Sequence, residues 1–268
     1  MTWIATLQLA LRSLRRNRVR AMLTTTGVII GVGSVIAMLG IAAGSQQRVA
    51  DELEKLGTNN VSVRAGSATR SGVRAWAGTA TRLKFSDASA IAELPAVTAT
   101  APLARRPLQI RYRGTSWATE VKGVTPAYLP IKAWGLDQGE FFTDWHVERA
   151  AHVCVLGHSV AFELFGLRNP VGEVILIKEM ACRVLGVLAK KGASSSGLDQ
   201  DDTVLMPITT MQRKIMGKTY IHRILVQTPD QDTALRVQQA VRLLMRQRHR
   251  LQPNQDDDFR VGSSAELA

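Results

Sequence analysis

The sequence predicts an α+β chain: one N-terminal transmembrane helix, then a domain outside the membrane made of a split ferredoxin-like part and an inserted, mainly β subdomain. Three observations predict it. Residues 21–44 contain no charged side chain. A strand, helix, strand pattern stands just beyond that run and recurs near the C-terminal end. Between the two lie short alternating runs punctuated by Gly, Ser and Asp, the signature of strands and turns.

The charge-free run comes first. Its roughly 24 residues, at about 1.5 Å each, reach about 36 Å as a helix, enough to cross a hydrocarbon core of about 30 Å with some tilt. A cleavable signal peptide has an apolar core of only about 7–15 residues, and soluble helices rarely stay charge-free beyond about 18. Arg12, Arg15, Arg16, Arg18 and Arg20 precede the run with no acid among residues 1–20, whereas its far side opens on Ser45-Gln46-Gln47. The positive-inside rule therefore keeps residues 1–20 in the cytoplasm and places 45–268 in a bacterial periplasm or its equivalent. Gly27, Gly31, Gly40 and Gly44, with Gly33 and Ala37 between them, form a small-residue stripe that lets helices pack closely in a membrane, although glycine is in general commoner in spans.

The remaining elements follow in order. Within 1–20, Ile4, Leu7, Leu11 and Leu14 make one apolar stripe, so this arm reads as a basic amphipathic helix on the membrane surface. Residues 45–57 continue the span as a stalk helix that Gly57 ends. In 58–108, the first half of the split sheet, Val61 and Val63 alternate with polar residues. Residues 65–81 read as a loop, a helix runs from Asp87 to a stop at Pro95, and 97–103 are extended. In 219–268, the second half, 221–227 form a strand and 232–250 a helix with Leu235, Ala240, Leu243 and Leu244 on its buried stripe. Residues 258–261 form a last strand. The insertion, 109–218, opens with a hairpin around Gly114-Thr115-Ser116, followed by strands at 153–156, 174–177, 182–188 and 203–207, helices from Ser159 and Thr209, and a loop over 190–202.

Composition narrows the function. The net charge is +12, but five of the cations sit in the arm, where anionic lipid explains them, and no basic run interleaved with aromatics supports nucleic-acid binding. Cys154 and Cys182 are the only cysteines; both fall in strand-like runs, and they are candidates either for a disulfide or for two buried thiols. No phosphate-binding Gly-rich loop with Lys-Ser/Thr, no Gly-x-Ser-x-Gly elbow and no His-Glu-x-x-His pair occurs. Cys154 and His158 lack further convergent zinc ligands, and Asp199, Asp201 and Asp202 lack the Gly and Glu of a calcium loop, so they read as turn and cap acceptors. The residues therefore argue against an enzyme, a metal site or a bound cofactor in this chain.

Taken in order, Leu14-Arg15-Arg16-Asn17-Arg18-Val19-Arg20-Ala21-Met22-Leu23-Thr24-Thr25-Thr26-Gly27-Val28-Ile29-Ile30-Gly31-Val32, Leu56-Gly57-Thr58-Asn59, Val155-Leu156-Gly157, Leu164-Phe165-Gly166, Asn169-Pro170-Val171-Gly172, Gly186-Val187-Leu188, Asp199-Gln200-Asp201-Asp202 and Met206-Pro207 resemble the permeases of MacB-like ABC transporters, in the FtsX and lipoprotein-release superfamily. The resemblance implies a first membrane helix and a periplasmic porter domain with a β insertion. It implies a homodimer or paired permeases, an ABC ATPase that binds ATP on a separate chain, and often a periplasmic adaptor and an outer-membrane channel. It also implies mechanotransmission: ATP binding inside moves the periplasmic domains, which expel substrate. Family members continue with three further membrane helices, so this chain corresponds to their N-terminal portion. An FtsX-like signalling module that activates a cell-wall hydrolase is the alternative.

Overall fold

The computed structural model describes residues 18–55, 60–66, 69–70, 73–74, 83–194 and 197–263. It divides into two units, Met1–Asp51 and Glu52–Ala268.

Helix α1 (Arg18–Lys55), which makes up the described part of the first unit and extends four residues past its boundary, runs without a break. Its Arg18–Gly44 stretch has a mean hydropathy of 2.2 and is long and apolar enough to cross a membrane. Val28, Ile29, Ile30, Val32, Val35 and Ile36 are all exposed; a helix that is apolar all round suits lipid rather than water. The Ser34 hydroxyl donates to Gly31 O and the Thr24 hydroxyl to Arg20 O, so these polar groups are met within the helix. A Cβ added at Gly27, Gly31, Gly33, Gly40 or Gly44 would meet open space within the chain itself. Arg18 and Arg20 lie in the first turns of α1. The amphipathic arm, with Arg12, Arg15 and Arg16, and the helix stop at Gly57 lie outside the described residues.

The second unit begins with β1 (Asn60–Ala65), β2 (Thr69–Arg70), β3 (Val73–Arg74), β4 (Leu83–Lys84), helix α2 (Phe85–Ala92) and β5 (Ala99–Tyr112). Residues 65–81, expected to be a loop, contain a short hairpin in which Thr69 faces Arg74 and Arg70 faces Val73. Helix α2 starts two residues earlier than expected. Asp87 is its third residue rather than its opening, and the Asp87 carboxylate accepts a hydrogen bond from Lys84 N at 2.8 Å, closing an exposed backbone donor at the helix start.

The chain continues with β6 (Thr115–Val124), α3 (Tyr128–Ile131), β7 (Leu136–Gly139), α4 (Asp144–Glu148), β8 (Val153–Leu156), α5 (His158–Phe165), β9 (Val174–Ile177), β10 (Met180–Leu188), β11 (Thr203–Pro207) and α6 (Ile208–Thr210). A π-helical turn (Met211–Met216), β12 (Tyr220–Ile221), β13 (Arg223–Gln227), α7 (Gln231–Arg248) and β14 (Phe259–Ser263) complete it. Strands β14, β1, β13 and β5 lie side by side in that order, each antiparallel to its neighbour. With α2 and α7 packed on this sheet and on each other, the connectivity is that of a split ferredoxin-like fold.

Strand β5 is one continuous strand where two were expected. Residues 99–103 pair with β13 and 104–112 with β6. The β5–β6 turn is Arg113-Gly114, at φ of 43° and 90°, not Gly114-Thr115-Ser116. Positive φ at both central residues matches the right-handed twist of a two-residue hairpin. From β6 the sheet continues through β11, β8 and β10, and β9 pairs with both β10 and β5. Strands β5, β6, β11, β8, β10 and β9 therefore close into a ring, which removes free edges.

The buried stripe of α7 is Ala234, Val237, Val241 and Met245, whereas Leu235 and Leu243 are exposed. The expected stripe of Leu235, Ala240, Leu243 and Leu244 is thus rotated by about one residue. The Asp230 carboxylate accepts from Thr233 N at 2.7 Å, setting where the helix starts and hence which face meets the sheet.

Candidate functional site

The site is built from rows of the sheet on the face away from α2 and α7. Arg64 on β1 stands opposite Arg223 on β13, and Arg223 opposite Leu103 on β5. Two residues further along β5, Arg105 stands opposite Lys122 on β6. Since alternate residues of a strand share a face, Leu103 and Arg105 point to one side together, as do Glu120 and Lys122. Like charges directly opposite one another destabilise a sheet. Here two such pairs stand on one face.

Three elements close over this surface. Helix α3 delivers Tyr128, and the turn after it delivers Lys132 and Trp134. The segment after β10 delivers Lys191 and Gln200. Together they enclose a cavity of about 180 Å³. Asn60 Nδ2 holds Ile131 O at 3.0 Å, Trp134 Nε1 donates to Ala189 O at 2.8 Å, and Lys191 Nζ donates to Lys132 O at 2.7 Å while lying 5.5 Å from the Trp134 ring centroid. The Asp201 carboxylate accepts from Lys191 N and Gly192 N at 2.9 Å each. The walls are therefore tied to the scaffold by hydrogen bonds that each have a backbone group at one end.

Five cations line the cavity, Arg105, Lys122, Lys132, Lys191 and Arg223, around one carboxylate, Glu120. Glu120 is already engaged by Arg105 at 3.0 Å and Lys122 at 3.4 Å. Among the described residues neither the Lys132 ammonium nor the Arg223 guanidinium has a carboxylate partner. Burial first, then Lys191, Arg223, Lys122 and Arg64, bring the Lys132 pKa down to about 8. Burial also lowers Lys122, against the pull of Glu120, and lowers Arg223 with help from Arg64 and Arg105. Tyr128 is pushed up to about 12 by burial, so its hydroxyl keeps its proton. His222 is lowered by burial and by Arg105, and its Nδ1 accepts from Arg105 N at 3.1 Å.

A pH dependence follows. Lys132 has a lower pKa in the folded chain than in the unfolded one, so the unfolded chain binds the extra proton between about pH 8 and lysine's ordinary value of 10.5. Stability therefore rises with pH across that window, and the charged form's penalty is fully present below it. Urea midpoints at about pH 7.5 and about pH 9.5 should show this rise, and Lys132→Met should remove the part due to this group. An equal rise in the variant would refute the assignment.

The residues singled out from the sequence lie elsewhere. Cys154 on β8 and Cys182 on β10 are buried and unbonded. Burial, with the neighbouring Cys182, pushes the Cys154 pKa up. Among the described residues, no group of three or more His, Cys, Asp and Glu side chains is placed to hold a metal ion. Asp199, Asp201 and Asp202 act as acceptors, Asp199 from the Ser159 hydroxyl at 2.6 Å and Asp202 from Trp117 Nε1 at 2.9 Å. The basic cavity was not visible in the sequence, because its cations are spread over five elements. The one usable signal was Arg105 and Lys122, placed symmetrically about the Arg113-Gly114 turn.

The family model of the MacB-like periplasmic core domain matches residues 21–244. The chain belongs to that family. A macrolide export ATP-binding/permease protein MacB of Syntrophobacter fumaroxidans is 40% identical over 215 residues, covering 80% of this chain and 30% of that protein. The MacB of Bdellovibrio bacteriovorus is 34% identical over 258 residues, covering 96% of this chain and 40% of that one. The chain thus spans between 30% and 40% of the length of these relatives. Among solved structures, the periplasmic region of MacB from Actinobacillus actinomycetemcomitans superposes with a TM-score of 0.67 at 21% identity, covering 80% of this chain and 93% of that one. The extracellular domain of the noncanonic ABC-type transporter YknZ from Gram-positive bacteria follows at 0.63 and 17% identity, with 76% and 100% coverage. Both share the fold.

Two of the MacB-like motifs meet in space. Gly157 N donates to Thr203 O at 2.8 Å, beside the Asp199-Gln200-Asp201-Asp202 segment. A Cβ at Gly157 would overlap the Asp201 carbonyl oxygen. The glycine of Val155-Leu156-Gly157 is therefore required by the close approach of the acidic segment, which also holds the cavity wall at Lys191.

Proposed function

We propose that this chain is the N-terminal, non-catalytic part of the permease of a MacB-like ABC transporter. In this reading it sits in the bacterial inner membrane, with its N-terminus in the cytoplasm and 45–268 in the periplasm. A separate ATPase chain binds and hydrolyses ATP, and the outer domain of a homodimer or paired permease moves in response. That movement drives efflux or release of substrate, together with an adaptor and an outer-membrane channel. Gly27, Gly31, Gly33, Ala37, Gly40 and Gly44 pack the membrane helix, and Arg12, Arg15, Arg16, Arg18 and Arg20 hold its orientation. The observation that carries the reading is one chain in which a membrane-length apolar helix accompanies a split ferredoxin-like sheet with a β insertion and matches the MacB-like family model over 21–244.

The test is cross-linking of the tagged chain in intact cells, followed by mass spectrometry. Capture of an ABC ATPase through the cytoplasmic arm and of a periplasmic adaptor through the outer domain is expected. In the same cells, a cysteine placed at Gln47 should react with a membrane-impermeant maleimide and one placed at Thr2 only after lysis. Capture of a peptidoglycan hydrolase in place of an adaptor would favour the FtsX-like signalling role, and reversed labelling would overturn the topology.

A further inference from the structure

The basic cavity does not follow from the transport role, and its chemistry can be read on its own. A cation held out of water without a carboxylate is costly unless something else carries negative charge to it. Lys132 and Arg223 are half-buried with no carboxylate at ion-pair distance among the described residues, and the like-charged rows Arg64–Arg223 and Arg105–Lys122 add repulsion on the same face. A purely structural polar layer would be expected to balance its charges. This one gathers five cations around a single glutamate.

The directions of approach narrow the ligand. Arg223 comes from the ferredoxin-like sheet, Lys122 and Arg105 from the β5–β6 ribbon, Lys132 from the turn after α3, and Lys191 from the segment after β10. The Tyr128 hydroxyl supplies a neutral donor. Donors converging from several sides suit a tetrahedral oxyanion of charge near −2 better than a planar monovalent carboxylate. A volume of about 180 Å³ holds one such group.

We propose that this cavity binds a phosphate-class oxyanion, either free phosphate or the phosphomonoester of a lipid headgroup. Its binding offsets the repulsion among the cations and ties the β13-paired part of β5 to its β6-paired part, through Arg223 opposite Leu103 and Lys122 opposite Arg105. Affinity falls as pH rises through the range in which Lys132 loses its proton. The charged groups acting on Lys132 are Lys191, Arg223, Lys122 and Arg64, and Arg105, Glu120 and Tyr128 line the same cavity. Of these, the remaining cations keep weaker binding above that range.

The experiment is calorimetric titration of the full chain in detergent micelles with inorganic phosphate, at ionic strength held constant with chloride. One saturable site per chain is expected. Affinity should fall at least tenfold in Lys132→Met and in Arg223→Gln, and Lys132→Arg should retain most of it. Because the lysine charge strains the fold, Lys132→Met should melt no lower than wild type without phosphate and should lose the phosphate-induced rise in Tm. A parallel titration with dihexanoyl phosphatidic acid separates the sources. Tighter binding than inorganic phosphate assigns a lipid headgroup, and equal or weaker binding assigns free phosphate. Absence of saturable binding by both ligands, or affinities unchanged in both loss variants, overturns the proposal.

Discussion

Gly139→Ala will destabilise the β domain by about 3 kcal/mol or more. Gly139 ends β7 at a φ of +74°, a conformation that any residue with a Cβ resists. It also stands opposite Gly186 of β10. A Cβ at Gly139 would overlap the Leu185 carbonyl oxygen and lie 2.7 Å from Gly186 Cα, and one at Gly186 would lie 2.6 Å from Gln138 O. Every obstacle is backbone, so no side chain can swing aside, and relief requires moving β7 off the sheet. Gly114→Ala is the control: its φ is +90° with nothing within 4 Å of the added carbon, so it should cost only about 1 kcal/mol. Urea unfolding followed by fluorescence of the tryptophans, Trp134 among them, compares the two. A Gly139→Ala loss no larger than the Gly114→Ala loss would show that β7 can yield.

Asp87→Ala is expected to cost about 3 kcal/mol. The carboxylate is buried, 5% exposed, and accepts from Arg248 Nε at 2.9 Å and Lys84 N at 2.8 Å, with His249 Nε2 at 3.7 Å. His249 in turn meets Asp258 at 2.8 Å through Nδ1. One side chain thus closes the start of α2 and joins it to the end of α7, the two helices that cover the ferredoxin-like sheet. Removing it leaves a backbone donor and a partly buried guanidinium without their acceptor. Asp87→Asn, whose amide oxygen can still accept from Lys84 N, should recover part of the loss. A cost below about 1 kcal/mol for Asp87→Ala would mean that water replaces the carboxylate and that the helices do not depend on this link.

These two sites were unequally legible. The helix containing Asp87 was read from local signals, an acidic residue near its start and Pro95 after its end, but its pairing with Arg248 spans the whole insertion and has no local trace. Gly139 carried no signal at all, because its need for hydrogen in place of a Cβ comes from a strand that follows more than forty residues later. The helix α7 stripe was misplaced for a related reason. Leu235 and Leu243 are as apolar as the residues that are buried, so composition left two adjacent faces nearly equivalent. The Asp230 cap and the sheet chose between them.

The sequence by itself determined the membrane-length helix, the strand, helix, strand units at either end, the strand-rich insertion and the family. Each of these is written in neighbouring residues: an unbroken apolar run, a change of period, a turn residue, a short motif. Only the tertiary structure decided that β5 runs unbroken from one part of the sheet to the other, that β9 closes a ring, and that Arg64, Arg105, Lys122, Lys132, Lys191 and Arg223 stand around one cavity. Strand register and ring closure bring together residues far apart in the chain, and charge acts through space, so the field of that cavity exists only once the sheet has formed.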